Sequence, residues 1–459
     1  MRLQVFVIAC LVGMATTLAA QQRQELTLQQ CIDLALENNL SLKRQENTVK
    51  QNEWAVWQTK MAFLPTLNGS IGYNWNTGTV FNQVTFQREE NQTRAFSSPS
   101  LRSSVNLFDG LGRYKTYKQS QAALEASQEG LTRQRNLILT QLLQAYLNVV
   151  VDKSNVTISE RRIELLRQQE ARQRQLFQAG TAVEADVLNI TSQLAVEELN
   201  LLRSQNQLER DKLTLLQTVI PASQWGSTVY DFATVDTNLV SIDYRTVTLP
   251  SLAEVEATAL TSQPDLRQQE LLVEASKLGI GAAKADKYPT LDFSGSLQSN
   301  YSTNGGFPDP QTGEPRNRYL QQLDDNFNYS YGLSLTIPLF NNGRVKQAVE
   351  NAKIQKNTAE VTFEETRNTL ITNVRQAYLD LLAARQRIES LDRQLTATIR
   401  AYQNAEARFN QGLIDYYAYF EALNNQSRLE AEQVQSRYEF YFRKKVIDFY
   451  MGRDLRFDQ

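Results

Sequence analysis

Between Leu370 and Phe409 the apolar positions fall at Leu370, Val374, Ala377, Leu381, Ala384, Ile388, Leu391 and Leu395, with gaps alternating four and three. That is the seven-residue seam of a coiled coil, and its apolar face must meet another helix. After one extra gap of four the seam resumes at Ile399, Tyr402, Ala405 and Phe409, a stutter that locally unwinds a left-handed supercoil. No Pro follows Pro338 and no Gly lies between Gly343 and Gly412. The pattern therefore predicts one helix over 343–410, about 100 Å long at about 1.5 Å per residue. It ends at Phe409-Asn410-Gln411-Gly412, where Gly can take the left-handed conformation that closes a helix. A returning helix is predicted over 416–452.

The same text occurs earlier in the chain. Phe177-Gln178-Ala179-Gly180 ends a first long helix, 110–178, at an offset of 232 residues from the second turn, and the same offset sets Ala145-Tyr146-Leu147 on Ala377-Tyr378-Leu379. Leu124, Leu131, Ile138 and Ala145, with Leu142, Val149, Val156 and Ile163, form its seam; Val187, Leu194, Leu201, Leu208 and Leu215 continue it on a returning helix, 184–219. Upstream of each long helix lies a shorter helical pair. Leu28–Met61 is interrupted near Asn38-Asn39 and Leu252–Lys287 at Gln263-Pro264, an offset of 224, and both leave the helix through Pro-Thr-Leu, at Pro65 and Pro289. The chain reads as one unit given twice, 21–220 and 251–452, joined by a linker at 221–250 and followed by a tail at 453–459.

After each Pro the period changes from 3.6 to two. Leu67, Gly69, Ile71, Tyr73 and Trp75 alternate with Asn68, Ser70, Gly72, Asn74 and Asn76; Leu291, Phe293, Gly295 and Leu297 repeat this. These are strands with one apolar and one polar face. The clearest return strand runs Phe327, Tyr329, Tyr331, Leu333, Leu335, Ile337, Leu339, and the fainter one passes Leu101, Val105 and Leu107. Two hairpins, 63–108 and 288–340, result, with polar loops expected at Thr77–Ala95 and Ser302–Asp325. A soluble hairpin with one buried face would show the same alternation. Aromatic residues near strand ends, Tyr73, Trp75, Tyr301 and Tyr329, fit a lipid-facing barrel wall. Hairpins set between helices of this length have no globular core to rest on, so they must close with each other or with other chains. Four strands cannot close a membrane barrel, whose smallest forms need about eight.

Residues 1–20 carry one positive charge, an apolar core and small residues before Gln21, which reads as a secretory signal peptide. Val7-Ile8-Ala9-Cys10 resembles a lipoprotein box but has few apolar residues before it; Cys10 is expected to leave with the leader, and its lipidation stands as the alternative. Cys31 is then the one thiol left, read as a small buried apolar residue. With 48 basic and 50 acidic residues and no basic block, nucleic acid is not an expected partner. No run of about 18 apolar residues follows the leader, which excludes a membrane-spanning helix.

The chain has no His, removing the commonest general base and the usual metal ligands. The adjacent acids Glu364-Glu365 and Glu197-Glu198 diverge by about 100° on a helix and read as solvated faces. The turns Asp109–Arg113 and Asn341–Arg344 lack a phosphate-binding lysine pattern. Trp225, Tyr230, Phe232 and Tyr244 in the linker read as packing, as do Tyr438, Tyr441, Phe442, Val446 and Phe449 near the end. No catalytic, cofactor or metal residue is assigned.

The duplicated order of helix pair, strand, loop, strand, long helix, Gly turn and returning helix resembles the TolC-like outer membrane efflux proteins. The likeness is carried by Leu64-Pro65-Thr66-Leu67 with Tyr288-Pro289-Thr290-Leu291, Leu107-Phe108-Asp109-Gly110 with Pro338-Leu339-Phe340-Asn341-Asn342-Gly343-Arg344, both Ala-Tyr-Leu segments and both Phe-x-x-Gly turns. It implies a mostly α fold with a membrane β part: a homotrimer whose chains give four strands each to a twelve-stranded barrel, and antiparallel coiled-coil helices to a periplasmic tunnel. It implies the outer membrane of a Gram-negative bacterium, contact with its lipid, and service as the exit duct of tripartite small-molecule efflux with a periplasmic adaptor and an inner-membrane pump of RND, ABC or MFS type. Type I protein secretion is the alternative, and a barrel-anchored structural coiled coil or adhesin the alternative of another class. The helix-end turns, Gly180, Thr181, Gly412 and Leu413, become candidate adaptor contacts. Family acids six and nine positions after the second turn's Gly fall here on Ala418 and Glu421, and in the first copy on Asp186 and Asn189. Asp186 and Glu421 are thus candidates for a tunnel constriction, or else first-turn acids placed by the helix dipole. The family's basic residue two positions after the second Gly is Ile414 here, so its role does not transfer.

Overall fold

The computed structural model describes residues 23–82, 86–225, 229–233, 244–303 and 319–453. The leader with Cys10, the centre of the linker, the Asn304–Pro310 stretch and the end of the tail lie outside them. The contacts group the chain into two units, 1–48 with 128–267 and 364–459, and 49–127 with 268–363.

The first unit is helical. Strand β1 (Arg23–Leu26) leads to α1 (Leu28–Asn38), which opens with a capping box in which Thr27 and Gln30 exchange backbone and side-chain bonds. Asn39 is extended, and its Oδ1 accepts from the N–H groups of Ser41 and Leu42 at 2.9 and 3.3 Å, so it caps the start of α2 (Leu40–Met61). Its amide also donates to Thr218 O at 3.3 Å, at the end of α4 (Glu184–Val219), the helix that returns from α3 (Gly112–Gln178). The second copy uses the same device. Gln263 between α5 (Leu252–Ser262) and α6 (Pro264–Ala285) is extended, as a residue before Pro should be, and its amide donates to Phe449 O at 3.0 Å near the end of the last helix.

The predicted seam is the core of this unit. Leu370, Val374, Ala377, Leu381, Ala384, Ile388, Leu391 and Leu395 of α8 (Arg344–Asn410) are all buried, whereas Ile399, Tyr402, Ala405 and Phe409 beyond the stutter are half-buried. Ile138, Leu142, Val149, Leu215 and Val219 pack with Cys31, Ile32 and Ala35 in one cluster. Burial pushes the Cys31 thiol up to about 12, so it is an inert apolar filler. β6 (Val229–Phe232) pairs in parallel with β1, and its Phe232 is buried in the same cluster, with Trp225 and Tyr230 against it. Asp231 holds Lys153 at 2.9 Å and Lys212 at 3.4 Å, tying this strand to α3 and α4. Tyr244 bonds Asp392 at 2.9 Å. These aromatics pack, as expected. One charge reading is corrected: Glu197 is buried, accepts from Asn200 and faces Arg162 at 3.5 Å, while Glu198 and Glu364 stay exposed. Residue 162 lies on the partner helix, out of reach of any local reading of adjacent acids.

The second unit holds two antiparallel sheets. One has the order β2 (Thr66–Ser70), β5 (Ser100–Phe108), β7 (Thr290–Gln298), β9 (Asn328–Thr336); the other joins β3 (Tyr73–Asn82), β4 (Gln87–Ser97) and β8 (Tyr301–Ser302). The continuous strand expected from Leu67 to Trp75 therefore divides at Ile71-Gly72, and its halves belong to different sheets. Most of the Thr77–Ala95 stretch expected as a loop is the β3–β4 hairpin, joined by a Thr77–Thr93 hydroxyl pair at 2.9 Å. The Ser302–Asp325 loop ends in a short helix α7 (Tyr319–Asp325). The last strand stops at Thr336 instead of Leu339, two residues before Pro338, which has no N–H to give a ladder.

Candidate functional site

Two turns and one sheet carry the residues singled out above. At the first turn Gly180 has φ +75°, its N–H donates to Phe177 O at 2.9 Å, and the Thr181 N–H donates to Leu176 O at 3.0 Å. At the second, Gly412 has φ +71°, its N–H donates to Phe409 O at 2.9 Å, and the Leu413 N–H donates to Arg408 O at 2.9 Å. Both are Schellman closures, built identically in the two copies. Val183 and Leu188 after the first turn, and Leu413 and Tyr417 after the second, are exposed apolar side chains.

The candidate acids are placed differently. Asp186 sits in the first turn of α4, half-buried, and accepts from Gln173 Nε2 at 3.4 Å. Glu421 is exposed on α9 (Tyr416–Tyr450), past its first turn, so the helix-end reading does not apply to it. That role belongs to Asp415, whose Oδ1 accepts the Ala418 N–H at 2.9 Å. An Asp just before the first residue of a helix was the available signal, and it went unread.

Also unread was an aromatic cluster that spans the second turn. Phe409 stacks on Tyr419 at 4.9 Å, Tyr416 stacks on Phe420 at 5.7 Å, and Tyr402 and Ile190 complete the group, with Ile414 against it. Helix α3 holds this group from the side. The Arg172 guanidinium lies 5.7 Å from the Phe409 ring centre and donates to Asn410 Oδ1 at 3.0 Å, and Gln169 reaches the Tyr419 hydroxyl at 3.4 Å. Arg162 joins Glu197 to Asn424. Burial, then neighbouring Tyr419 and Glu406, push the Tyr402 hydroxyl up; burial does the same to Tyr416. These hydroxyls stay protonated and act as packing with a polar tip.

In the four-stranded sheet, register stacks apolar on apolar. Leu101 lies opposite Leu297 and Leu297 opposite Tyr329; Val105 lies opposite Phe293 and Phe293 opposite Leu333. The other face carries Asn68, Arg102, Ser296 and Ser330, with Asn106 bonded to Asp292 at 2.8 Å and Ser296 to Ser330 at 2.9 Å. Leu67, Leu101, Leu297, Tyr331, Leu333 and Leu335 are exposed, and every residue of β2 and β9 is exposed. A contiguous apolar face of this kind needs lipid or a partner. β2 and β9 are the edges, each paired on one side within the described residues. Among the described residues no helix is long and apolar enough to cross a membrane, and no group of three acidic, Cys or His residues could hold a metal ion.

The sequence pattern of the outer membrane efflux proteins matches residues 31–219 and again 257–452. The chain belongs to the outer membrane efflux protein family. It is 25% identical over 413 residues to the cation efflux system protein CusC of Escherichia coli O157:H7, spanning 85% of this chain and 78% of that one. Its fold matches the crystal structure of CusC with a TM-score of 0.75 at 17% identity, covering 93% of this chain and 92% of the other. It matches the Campylobacter jejuni CmeC outer membrane channel equally, with a TM-score of 0.75 at 19% identity over 93% and 85%. As an outer membrane efflux protein, the chain has its apolar sheet face explained by lipid and its mostly helical remainder by the family's channel fold.

Proposed function

We propose that this outer membrane efflux protein is one protomer of a trimeric exit duct, through which small molecules leave the periplasm passively. One observation carries the reading: a four-stranded antiparallel sheet with an exposed apolar face and two open edges. Four strands must be completed by other chains, and three copies supply twelve, within the range of membrane barrels. The helices of 67 residues, α3 and α8, are about 100 Å each and suit a periplasmic passage. The protein performs no catalysis in this reading; its driving force comes from an inner-membrane pump joined through a periplasmic adaptor. Gly180, Thr181, Gly412 and Leu413 offer that adaptor two similarly closed turns with exposed apolar neighbours. Of the two candidate constriction acids, Glu421 is exposed and Asp186 is half-buried and held by Gln173, which supports Glu421 as the ring of charge. Native mass spectrometry of the detergent-purified protein tests the assembly: a trimer is expected, and a stable detergent-independent monomer would refute it. Loss of small-molecule export in a deletion strain, restored by the wild-type gene, tests the duct.

A further inference from the structure

The strands of the four-stranded sheet meet helices at one end, through Thr66, Phe108, Thr290 and Thr336, and stop at Ser70, Ser100, Gln298 and Asn328 at the other. In an outer membrane efflux protein with periplasmic helices, that free end lies toward the outer leaflet. Helix α7 is laid across it. The pairing continues one residue further, with the Ser299 N–H donating to Pro99 O at 3.1 Å. Side chains alternate along a strand, so Ser299 shares the apolar face of Leu297, and Pro99 that of Leu101. The Ser299 hydroxyl donates to Leu323 O at 2.6 Å, which places α7 on the apolar side. Three more bonds hold it there. The Tyr319 and Ser97 hydroxyl oxygens are 2.9 Å apart, Gln322 Oε1 accepts the Ser302 N–H at 3.0 Å, and the Asn326 amide donates to Asn300 O at 2.8 Å.

Between α7 and the sheet lies a cavity of about 530 Å³, within the size range of small-ligand sites. Ile71, Pro99, Leu101, Leu297 and Phe327 line it from the sheet and Leu323 from α7, and no described residue on its wall carries a charge. The Ser70 and Ser100 hydroxyls bond each other at 2.8 Å and that of Ser299 bonds Leu323, so the polar groups of the wall are already paired. Ile71, Leu101, Leu297 and Phe327 are exposed, so the cavity opens onto the apolar face of the sheet. Aromatic rings mark its outer rim. Tyr301 and Tyr319 lie edge to face at 4.9 Å, Tyr73 is 6.2 Å from Tyr301, and Trp75 is 4.7 Å from Tyr73. Tyr and Trp gather at the membrane–water boundary, where the ring meets hydrocarbon and its polar tip meets water. The cavity sits just inside that boundary, at the depth where acyl chains begin.

We propose that this cavity holds one fatty acyl chain of lipopolysaccharide, the lipid of the outer leaflet, clamped between α7 and the sheet. An uncharged wall whose hydroxyls are already bonded suits hydrocarbon and no headgroup. The cavity is continuous with the lipid-covered face, so a chain enters from the bilayer without crossing water. It lies at the free end of the strands, in the leaflet that lipopolysaccharide fills. Apolar side chains that face a void forfeit contacts, and the methylenes of the chain restore them on both walls. A chain held there pins α7, and with it the rim of the sheet, at a fixed depth in the membrane. The site depends on the outer-membrane placement of the sheet and not on the number of copies.

The test is native mass spectrometry of the full-length protein released from outer membranes in mild detergent. Wild type should carry lipopolysaccharide, up to one molecule per chain. Gly69 also lines the cavity, and a methyl added there meets Leu101 Cδ1 at 3.7 Å, an ordinary contact. Gly295 shares the apolar face but lies outside the cavity, and a methyl there meets Ser330 O at 3.8 Å. The ratio of loaded to bare chains should fall about tenfold in Gly69→Leu, whose side chain takes the place of about two methylene groups. Gly295→Leu should keep the wild-type ratio. Ser299→Ala, which frees Leu323 from the sheet, should lower it without filling the cavity. Equal loading of wild type and both cavity variants, or a phospholipid mass in place of lipopolysaccharide, would overturn the site. A wild-type trimer without lipid would show the cavity covered by a neighbouring chain, overturning the site and leaving the trimer standing. A loaded monomer would do the reverse.

Discussion

Asp152 of α3 and Asp211 of α4 lie together on a cavity of about 390 Å³, also lined by Asn148, Asn155, Arg387, Glu439 and Arg443. Burial, and then the hydrogen bond and charge of Asp211, raise the Asp152 carboxyl from 3.8 to about 7; the Asn155 amide and the Arg210 guanidinium pull the other way. Asp152 Oδ2 has no hydrogen-bond partner. Between pH 4 and 7 the unfolded chain has lost this proton while the folded protein keeps it, so stability falls as pH rises and the full loss is reached above about pH 7. Complete linkage would amount to about 4 kcal/mol at about 1.4 kcal/mol per pH unit. Asp152 is half-buried, and solvent screening brings this to about 2 kcal/mol. Asp152→Asn keeps the shape of the neutral acid and removes the cost. Thermal unfolding of purified protein should therefore show wild type and Asp152→Asn together at or below pH 4, and the variant higher by about 2–4 °C at pH 8.5. A difference that does not change with pH, or a wild type that gains on the variant at high pH, would refute the shared-proton account.

Gly180→Ala and Gly412→Ala should each cost about 1 kcal/mol in thermal unfolding, because φ is positive while an added methyl meets nothing within 4 Å; a loss several times larger would mean a contact at these turns. Arg162→Met should destabilise by about 3 kcal/mol by leaving buried Glu197 without its guanidinium, and Arg162→Met with Glu197→Met should recover most of it in the same assay. Glu421→Ala should lower cation preference and weaken block by multivalent cations in single-channel recordings, while Glu365→Ala on α8 should change neither. Unchanged selectivity in Glu421→Ala with the trimer intact would remove Glu421 from the constriction.

What could be read from the chain was what had a period. The α8 seam from Leu370 to Leu395 repeats often enough that every position in it is buried, and the Gly turns announce themselves because φ near +70° admits few other residues. The β3–β4 hairpin escaped because Gln87-Arg88-Glu89-Glu90-Asn91-Gln92-Thr93 has no apolar alternation; its order comes from the ladder and the Thr77–Thr93 hydroxyl pair, which leave no hydrophobic signature. The break at Ile71-Gly72 was hidden because alternation ran straight through it, and alternation reports which face a residue takes but not which strand it pairs with. At the candidate site the two turns were legible, whereas the grip of Arg162, Gln169 and Arg172 on the second hairpin joins residues 238 to 262 apart in the chain. The aromatic cluster was within reach, since Tyr416, Tyr419 and Phe420 follow helical spacing; its other half, Phe409 and Tyr402, lies before the turn.

The central claim, that chains bearing an open four-stranded sheet assemble into a duct through the outer membrane, is tested most directly by planar-bilayer recording on the purified trimer. Discrete, long-lived conductance steps that scale with the number of inserted trimers are expected, with greater preference for cations than Glu421→Ala shows. A trimer that inserts, retains its barrel strands by spectroscopy and passes no current in any applied field would contradict the account and return the molecule to a barrel-anchored structural coiled coil.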